Sequence, residues 1–243
     1  MSTTTSTPAV FVLVHGAWHG GWCWARVAQR LRALGHQVYT PTQTGVGERK
    51  HLLNTDITLN TFVQDIANVL LYEDLQQVIL VGHSFGGLAI TGVADLMPER
   101  IQQLVYLDAF LLESGVTVLD TLPDQIAANL KEAAKALPIP ALMPPKPQNL
   151  GFTEANDIAF VETRLTPQPL GVYESSLQLQ YPIGNGLPCT YVHCVEPVFK
   201  AVQGSANWAK KQASWTWEEL ADSHVAIMTN PDKVSALLHR LVR

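Results

Sequence analysis

Short, wholly apolar runs alternate with segments whose apolar positions recur at helical spacing, and this continues along most of the chain. Val10–Val14 is apolar throughout, as in a strand buried on both faces, and His15-Gly16 ends it. Trp22–Leu34 reads as a helix closed by Gly35, and Gln37–Thr40 as a short strand stopped by Pro41. Leu59–Tyr72 puts Phe62, Ile66, Val69 and Leu70 on one helical stripe. Val78–Val81 predicts a third strand, followed after Gly82–Gly86 by a helix from Gly87 to Met97. Leu104–Leu107, Thr190–Cys194 and Ser214–Trp217 complete a set of about six strands. Pro231–Leu241 reads as a closing helix with proline in its first turn. Strands and helices in alternation predict an α/β fold: a mostly parallel sheet with helices on both faces.

Between Leu111 and Leu187 the alternation stops, and this stretch holds nine of the fifteen prolines. It has a helix-like piece from Pro123 to Ala136 and a proline-rich link from Pro138 to Pro147. An excursion too long for a plain connection is usually functional. The expected organisation is a core of residues 1–110 and 188–243, with residues 111–187 inserted as a helical cap over the carboxyl edge of the sheet.

Composition narrows the function classes. Of 243 residues, 47% are hydrophobic and 15% charged, which suits a globular enzyme and excludes a disordered chain. The net charge is −5 and no Lys/Arg run forms a basic face, so nucleic acid and anionic membrane are poor partners. The opening Met1–Pro8 is polar and uncharged, without the blocks of a signal peptide, and no apolar run is long enough to span a bilayer. Cys23, Cys189 and Cys194 have no metal-type spacing and read as small buried hydrophobes in a reducing compartment. The cytoplasm is the expected location, and a homodimer is left open.

Candidate chemistry centres on Gly82-x-Ser84-x-Gly86, with an apolar strand directly before it and a helix rich in small residues directly after. A serine held above a sheet edge needs a tight strand-to-helix turn. Neighbouring backbones then come too close for side chains, which calls for glycine two residues on either side. A tetrahedral oxyanion needs two fixed donors. The N–H of Phe85 is one candidate, and the N–H of Ala17, in the loop after the first strand, is the other. His15 and His19 are four apart, but Gly16, Gly20 and Gly21 make a helix there unfavourable, so no metal is expected.

In folds that carry a Gly-x-Ser-x-Gly serine on such a strand-to-helix turn the chain order runs serine, acid, histidine, so the base is expected after the last strand. Of eight histidines only His224 and His239 qualify, and His239 falls in the final helix, where it reads as solvated surface. His224 lies in a short polar loop. Two acids remain open. Asp108 ends the strand after the nucleophile strand among apolar neighbours, where a carboxylate requires a partner. Glu196 stands two residues beyond the fifth strand. Trp18, His19, Trp22, Phe85 and Met143 are candidates for an apolar substrate pocket.

With these motifs in place the chain resembles the α/β-hydrolase superfamily over nearly its full length. His15-Gly-Ala-Trp-His-Gly-Gly-Trp-Cys-Trp24 is similar to the branch of plant methylesterases and hydroxynitrile lyases. Pro41–Arg49 and Val105–Phe110 are more similar to bacterial esterases of the carbendazim-hydrolysing type. The resemblance implies cleavage of a small ester or carbamate without a cofactor. The plant branch carries an aspartate after the fifth strand, where this chain has Val195-Glu196-Pro197; that departure favours Asp108 as the acid. The lyases place a lysine after the catalytic histidine and a hydroxyl residue at the position of Gly16, so Val225 and Gly16 argue against lyase chemistry.

The sequence thus points to a serine carboxylic-ester hydrolase with Ser84 as nucleophile and His224 as base. Two other classes stay open: cofactor-free lyase or oxygenase chemistry on the same histidine, and a ligand-binding receptor that keeps the same residues.

Overall fold

The computed structural model describes residues 8–242, so the polar run before Pro8 and the terminal Arg243 lie outside the described residues. Eight strands occur among them: β1 (Val10–Val14), β2 (Gln37–Tyr39), β3 (Val78–His83), β4 (Ile101–Leu107), β5 (Ala141–Leu142), β6 (Gln168–Pro169), β7 (Cys189–Cys194) and β8 (Thr216–Leu220). β5 and β6 form a small antiparallel pair, and the other six make one parallel sheet in the order β2-β1-β3-β4-β7-β8. The main helices of the core are α1 (Ala25–Ala33), α2 (Leu59–Tyr72) and α3 (Gly86–Leu96). Residues 111–187 hold α4 (Asp124–Lys135), α5 (Pro147–Leu150), α6 (Ala155–Glu162) and α7 (Gly171–Glu174), and α8 (Gln203–Ala209), α9 (Ala226–Thr229) and α10 (Pro231–Arg240) complete the chain.

Period-two alternation divides the strands between two cores. Phe11 and Leu13 of β1 join Ile79 and Val81 of β3 against Val27 and Leu31 of α1 and Leu238 of α10. Val12 and Val14 join Leu80 against Phe62 and Ile66 of α2 and Ile90 of α3. Strand order reverses where β1 lies between β2 and β3. Chain connections leave such a point in opposite directions, which opens a crevice at the carboxyl ends of β1 and β3. No helix among the described residues is long and apolar enough to cross a membrane.

Four sequence expectations shift. The helix expected from Trp22 starts as one 3-10 turn, Gly21–Trp24, and becomes α-helical at Ala25. β4 begins at Ile101, three residues before the expected Leu104. β8 begins at Thr216, not Ser214, because the N–H of Trp215 closes a turn onto the carbonyl of Gln212 at 3.1 Å. His239 is not simply solvated: it is half-buried, and its Nδ1 lies 2.8 Å from His36 Nε2.

Residues 111–187 contact the loop after β1 through Trp18. The Trp18 N–H donates to Gln168 Oε1 at 2.8 Å, and its indole N–H donates to the Leu142 carbonyl at 3.1 Å. Its own carbonyl accepts from Thr166 N–H at 3.0 Å. Trp18 keeps these three bonds at φ +65°, a conformation that costs a bulky residue and persists only when its surroundings impose it.

Candidate active site

Ser84 follows β3 directly, at φ +53°, in the left-handed region. The flanking glycines leave room for that turn. A Cβ on Gly82 would lie 2.8 Å from the Gly86 carbonyl oxygen, and one on Gly86 would lie 2.7 Å from that of His15. A Cβ on Gly16 would lie 2.8 Å from Ser84 Cβ, so a larger residue in the loop after β1 would require the serine or the loop to shift.

His224, in the turn between β8 and α9, places Nε2 3.1 Å from Ser84 Oγ. Its Nδ1 lies 2.7 Å from Asp108 Oδ2. A carboxylate only accepts, so Nδ1 carries the proton and Nε2 accepts from the serine hydroxyl. The imidazole is stacked on Phe199 at a centroid distance of 4.0 Å. The His224 backbone carbonyl accepts from His83 Nε2–H at 2.8 Å, and the centroids of the His83 and His224 rings lie 4.7 Å apart. The ring of His224 is thus held by aromatic packing and by its own backbone.

Asp108 follows β4 at φ +43° and is wholly buried. Oδ2 faces His224. Oδ1 accepts from the Cys194 N–H at 3.2 Å and from His193 Nδ1–H at 3.0 Å. Three donors around one buried carboxylate replace the water it has lost. Glu196, the other acid considered, is exposed, and its side chain makes no hydrogen bond to His224 among the described residues. Asp222 is engaged with Lys233 Nζ at 3.1 Å and with Asn230.

Phe85 follows Ser84 at the start of α3, and Ala17, in the loop after β1, lines the same cavity as Ser84. Neither backbone N–H donates to a protein acceptor among the described residues. Trp18 N–H is already committed to Gln168. The structure therefore brings Ser84, His224, Asp108, Ala17 and Phe85 together and leaves Glu196 apart.

Above them lies a cavity of about 440 Å³. Its lining includes Ala17, Trp18, His19 and His224 from the core and Leu130 and Leu142 from residues 111–187, with no Asp, Glu, Lys or Arg among the lining residues. Met143 lines it from an exposed position. Two sequence candidates do not line it. Trp22 stacks on His19 at 5.3 Å and meets Phe160 edge-on, because the 3-10 turn directs it away from the cavity. The Phe85 ring packs instead among Phe62, Phe110 and Tyr173.

His15 and His19 each place Nδ1 on a backbone carbonyl, that of Gly16 and of Ala17 respectively, and His15 Nε2 accepts from Gln43 N–H. Burial pushes both imidazoles down to about 4, and burial likewise lowers His83. These rings are neutral hydrogen-bonding groups at neutral pH. No group of three or more His, Cys, Asp or Glu with metal-holding geometry occurs among the described residues. Sequence reading missed His83, Phe199, Tyr173 and His193. Only His83, next to the nucleophile, carried a local signal.

A strained serine on a strand-to-helix turn, with a histidine after the last strand and an acid between them in sequence, is the arrangement of one fold family, and the comparisons agree. The model of the alpha/beta hydrolase family matches residues 11–237, and the chain belongs to that family. It is 45% identical over 178 residues to a carbendazim hydrolyzing esterase of Nocardioides sp. (strain SG-4G), across 70% of this chain and 74% of the relative. It is 29% identical over 218 residues to methylesterase 18 of Arabidopsis thaliana, across 79% and 82% of the two chains. Among solved structures, an extracellular alpha/beta-hydrolase from a Paenibacillus species superposes with a TM-score of 0.82 at 25% identity, over 97% of this chain and 100% of that one.

Proposed function

We propose that this chain is a serine carboxylic-ester hydrolase that cleaves a small, uncharged ester or carbamate through an acyl-enzyme on Ser84. The observation that carries the reading is the unbroken hydrogen-bonded line from Ser84 Oγ through His224 to Asp108, at 3.1 and 2.7 Å, on the wall of an apolar cavity. The relatives named esterase and methylesterase support the same reaction class.

In this reading His224 Nε2 takes the hydroxyl proton as Ser84 Oγ attacks the carbonyl carbon. The N–H groups of Ala17 and Phe85 receive the negative oxygen, aided by the amino end of α3. Asp108 keeps the proton on Nδ1 and stabilises the imidazolium that forms. His224 then gives its proton to the leaving alcohol, or to the leaving group of a carbamate. A water deprotonated by the same nitrogen releases the acid and restores Ser84. These steps use no cofactor. The lining holds no ionic side chain, so a charged substrate would lose its hydration without gaining a counter-ion.

Residues 111–187 act in this reading as a cap whose inner face shapes the acyl or leaving-group pocket. The cytoplasm is the proposed location, in keeping with three free, buried cysteines.

Steady-state hydrolysis of a neutral p-nitrophenyl ester tests the function. Ser84→Ala is expected to lower kcat by about 10³-fold or more. Retained turnover would favour lyase or oxygenase chemistry on His224 alone. One stoichiometric adduct without turnover in the unaltered protein would favour a receptor.

A further inference from the structure

Asp108 is held by two histidines, and the reaction described above uses only one of them. His193, in β7, places Nδ1 3.0 Å from Asp108 Oδ1, while His224 takes Oδ2. The two strands that bring His193 and Asp108 together are neighbours, β7 pairing with β4 in register from Leu104 to Leu107. We infer that His193 is a positioning residue for the reaction, and this rests on the role of Asp108 proposed above. Its Nδ1–H fixes Oδ1 so that Oδ2 stays turned toward His224.

The geometry supports more than the filling of a buried space. Without His193, Oδ1 keeps only the Cys194 N–H at 3.2 Å, the longest of the three contacts. The carboxylate would then be free to rotate about its last side-chain torsion, which is broad for aspartate. The His193 ring is itself fixed: it is buried, and it packs on the Trp217 indole at a centroid distance of 5.5 Å. Trp217 is in turn stacked on Tyr191 at 5.6 Å and lies under Lys210 Nζ at 4.9 Å. Since the carboxylate only accepts, His193 must carry its proton on Nδ1, as His224 does.

The inference also accounts for the chemistry at the end of β7. That strand supplies a donor and a backbone N–H to an acid carried by β4, and no carboxylate of its own reaches His224 among the described residues.

Four proteins tested side by side decide the matter: the unaltered enzyme, Asp108→Asn, His193→Phe and His193→Asn. Phenylalanine keeps the ring on Trp217 and removes the donor; asparagine returns an N–H near the position of Nδ1. His193→Phe is expected to lower kcat by about tenfold to a hundredfold with KM within about twofold. His193→Asn should restore kcat to within about threefold. Unchanged kcat in His193→Phe beside an inactive Asp108→Asn would overturn the inference and leave Asp108 as the acid. Full turnover in Asp108→Asn would overturn both. A loss in His193→Phe that asparagine does not repair, or that falls on KM alone, would also overturn it. Should His193→Phe not fold, histidine ¹⁵N NMR of the unaltered enzyme reads the same point: Nδ1–H on His193 is expected, and an Nε2–H tautomer contradicts it.

Discussion

Asp108 shows how much a single side chain depends on its surroundings. It is fully buried, a condition that disfavours a carboxylate unless each oxygen is held, and each is. Asp108→Asn preserves the shape but presents an amide to His224 and allows the wrong tautomer. Its kcat for a neutral ester is expected to fall by about 10³- to 10⁴-fold, whereas Glu196→Gln should stay within about twofold. The reverse result in the same assay would move the acid to Glu196. From the chain alone both residues had acceptable addresses, each just past a strand. Only the distance across neighbouring strands separates them. His193 was illegible for a related reason: a histidine inside Cys189–Cys194, otherwise mostly apolar, has no local mark to distinguish it from a core residue.

At the scale of elements, the turn between β3 and α3 governs the site. Its legibility came from steric necessity: Gly82 and Gly86 face backbone atoms that cannot withdraw. Gly86→Ala would press a methyl to 2.7 and 2.8 Å from the carbonyl oxygens of His15 and Val14. The expected cost is on the order of 2 kcal/mol of stability, with slower labelling of Ser84 by a fluorophosphonate. An unchanged urea midpoint together with full labelling would show that the turn is not as tight as described. Apolar runs such as Val10–Val14 marked buried strands because they are too short for a buried helix and end at a turn signal, here His15-Gly16. β8 was placed two residues early because Thr216–Leu220 is a half-exposed edge strand, with no such run to mark where the preceding turn ends. The opening 3-10 turn of the first helix was hidden by a helical apolar pattern, and with it the direction of Trp22.

For the molecule as a whole, several imidazoles are buried and kept neutral. His15 and His19 have folded values near 4 against 6.5 in the open chain, so the unfolded state takes up their protons first as pH falls. Stability from these groups is present above 6.5 and is lost between 6.5 and 4. The loss is expected to be about 2 kcal/mol apiece at pH 5. Urea midpoints measured at pH 7.5 and pH 5 check this; midpoints that coincide would mean that these histidines are hydrated in the native state. The overall α/β plan and six-strand sheet were legible because strand and helix signals alternate. The cavity was legible only in part: Trp18, His19 and Met143 line it and Trp22 and Phe85 do not, because residues from 111–187 reach it through contacts far apart in sequence, such as Trp18 with Gln168 and Leu142.

The most direct examination of the central claim is to quench the enzyme within its first turnover of a p-nitrophenyl ester and map the acyl group by peptide mass spectrometry. The account expects a burst of nitrophenol equal to the enzyme concentration, followed by steady turnover, with the acyl group on the peptide that contains Ser84. Turnover without a burst or adduct in the unaltered enzyme, accompanied by undiminished turnover in Ser84→Ala, would contradict it.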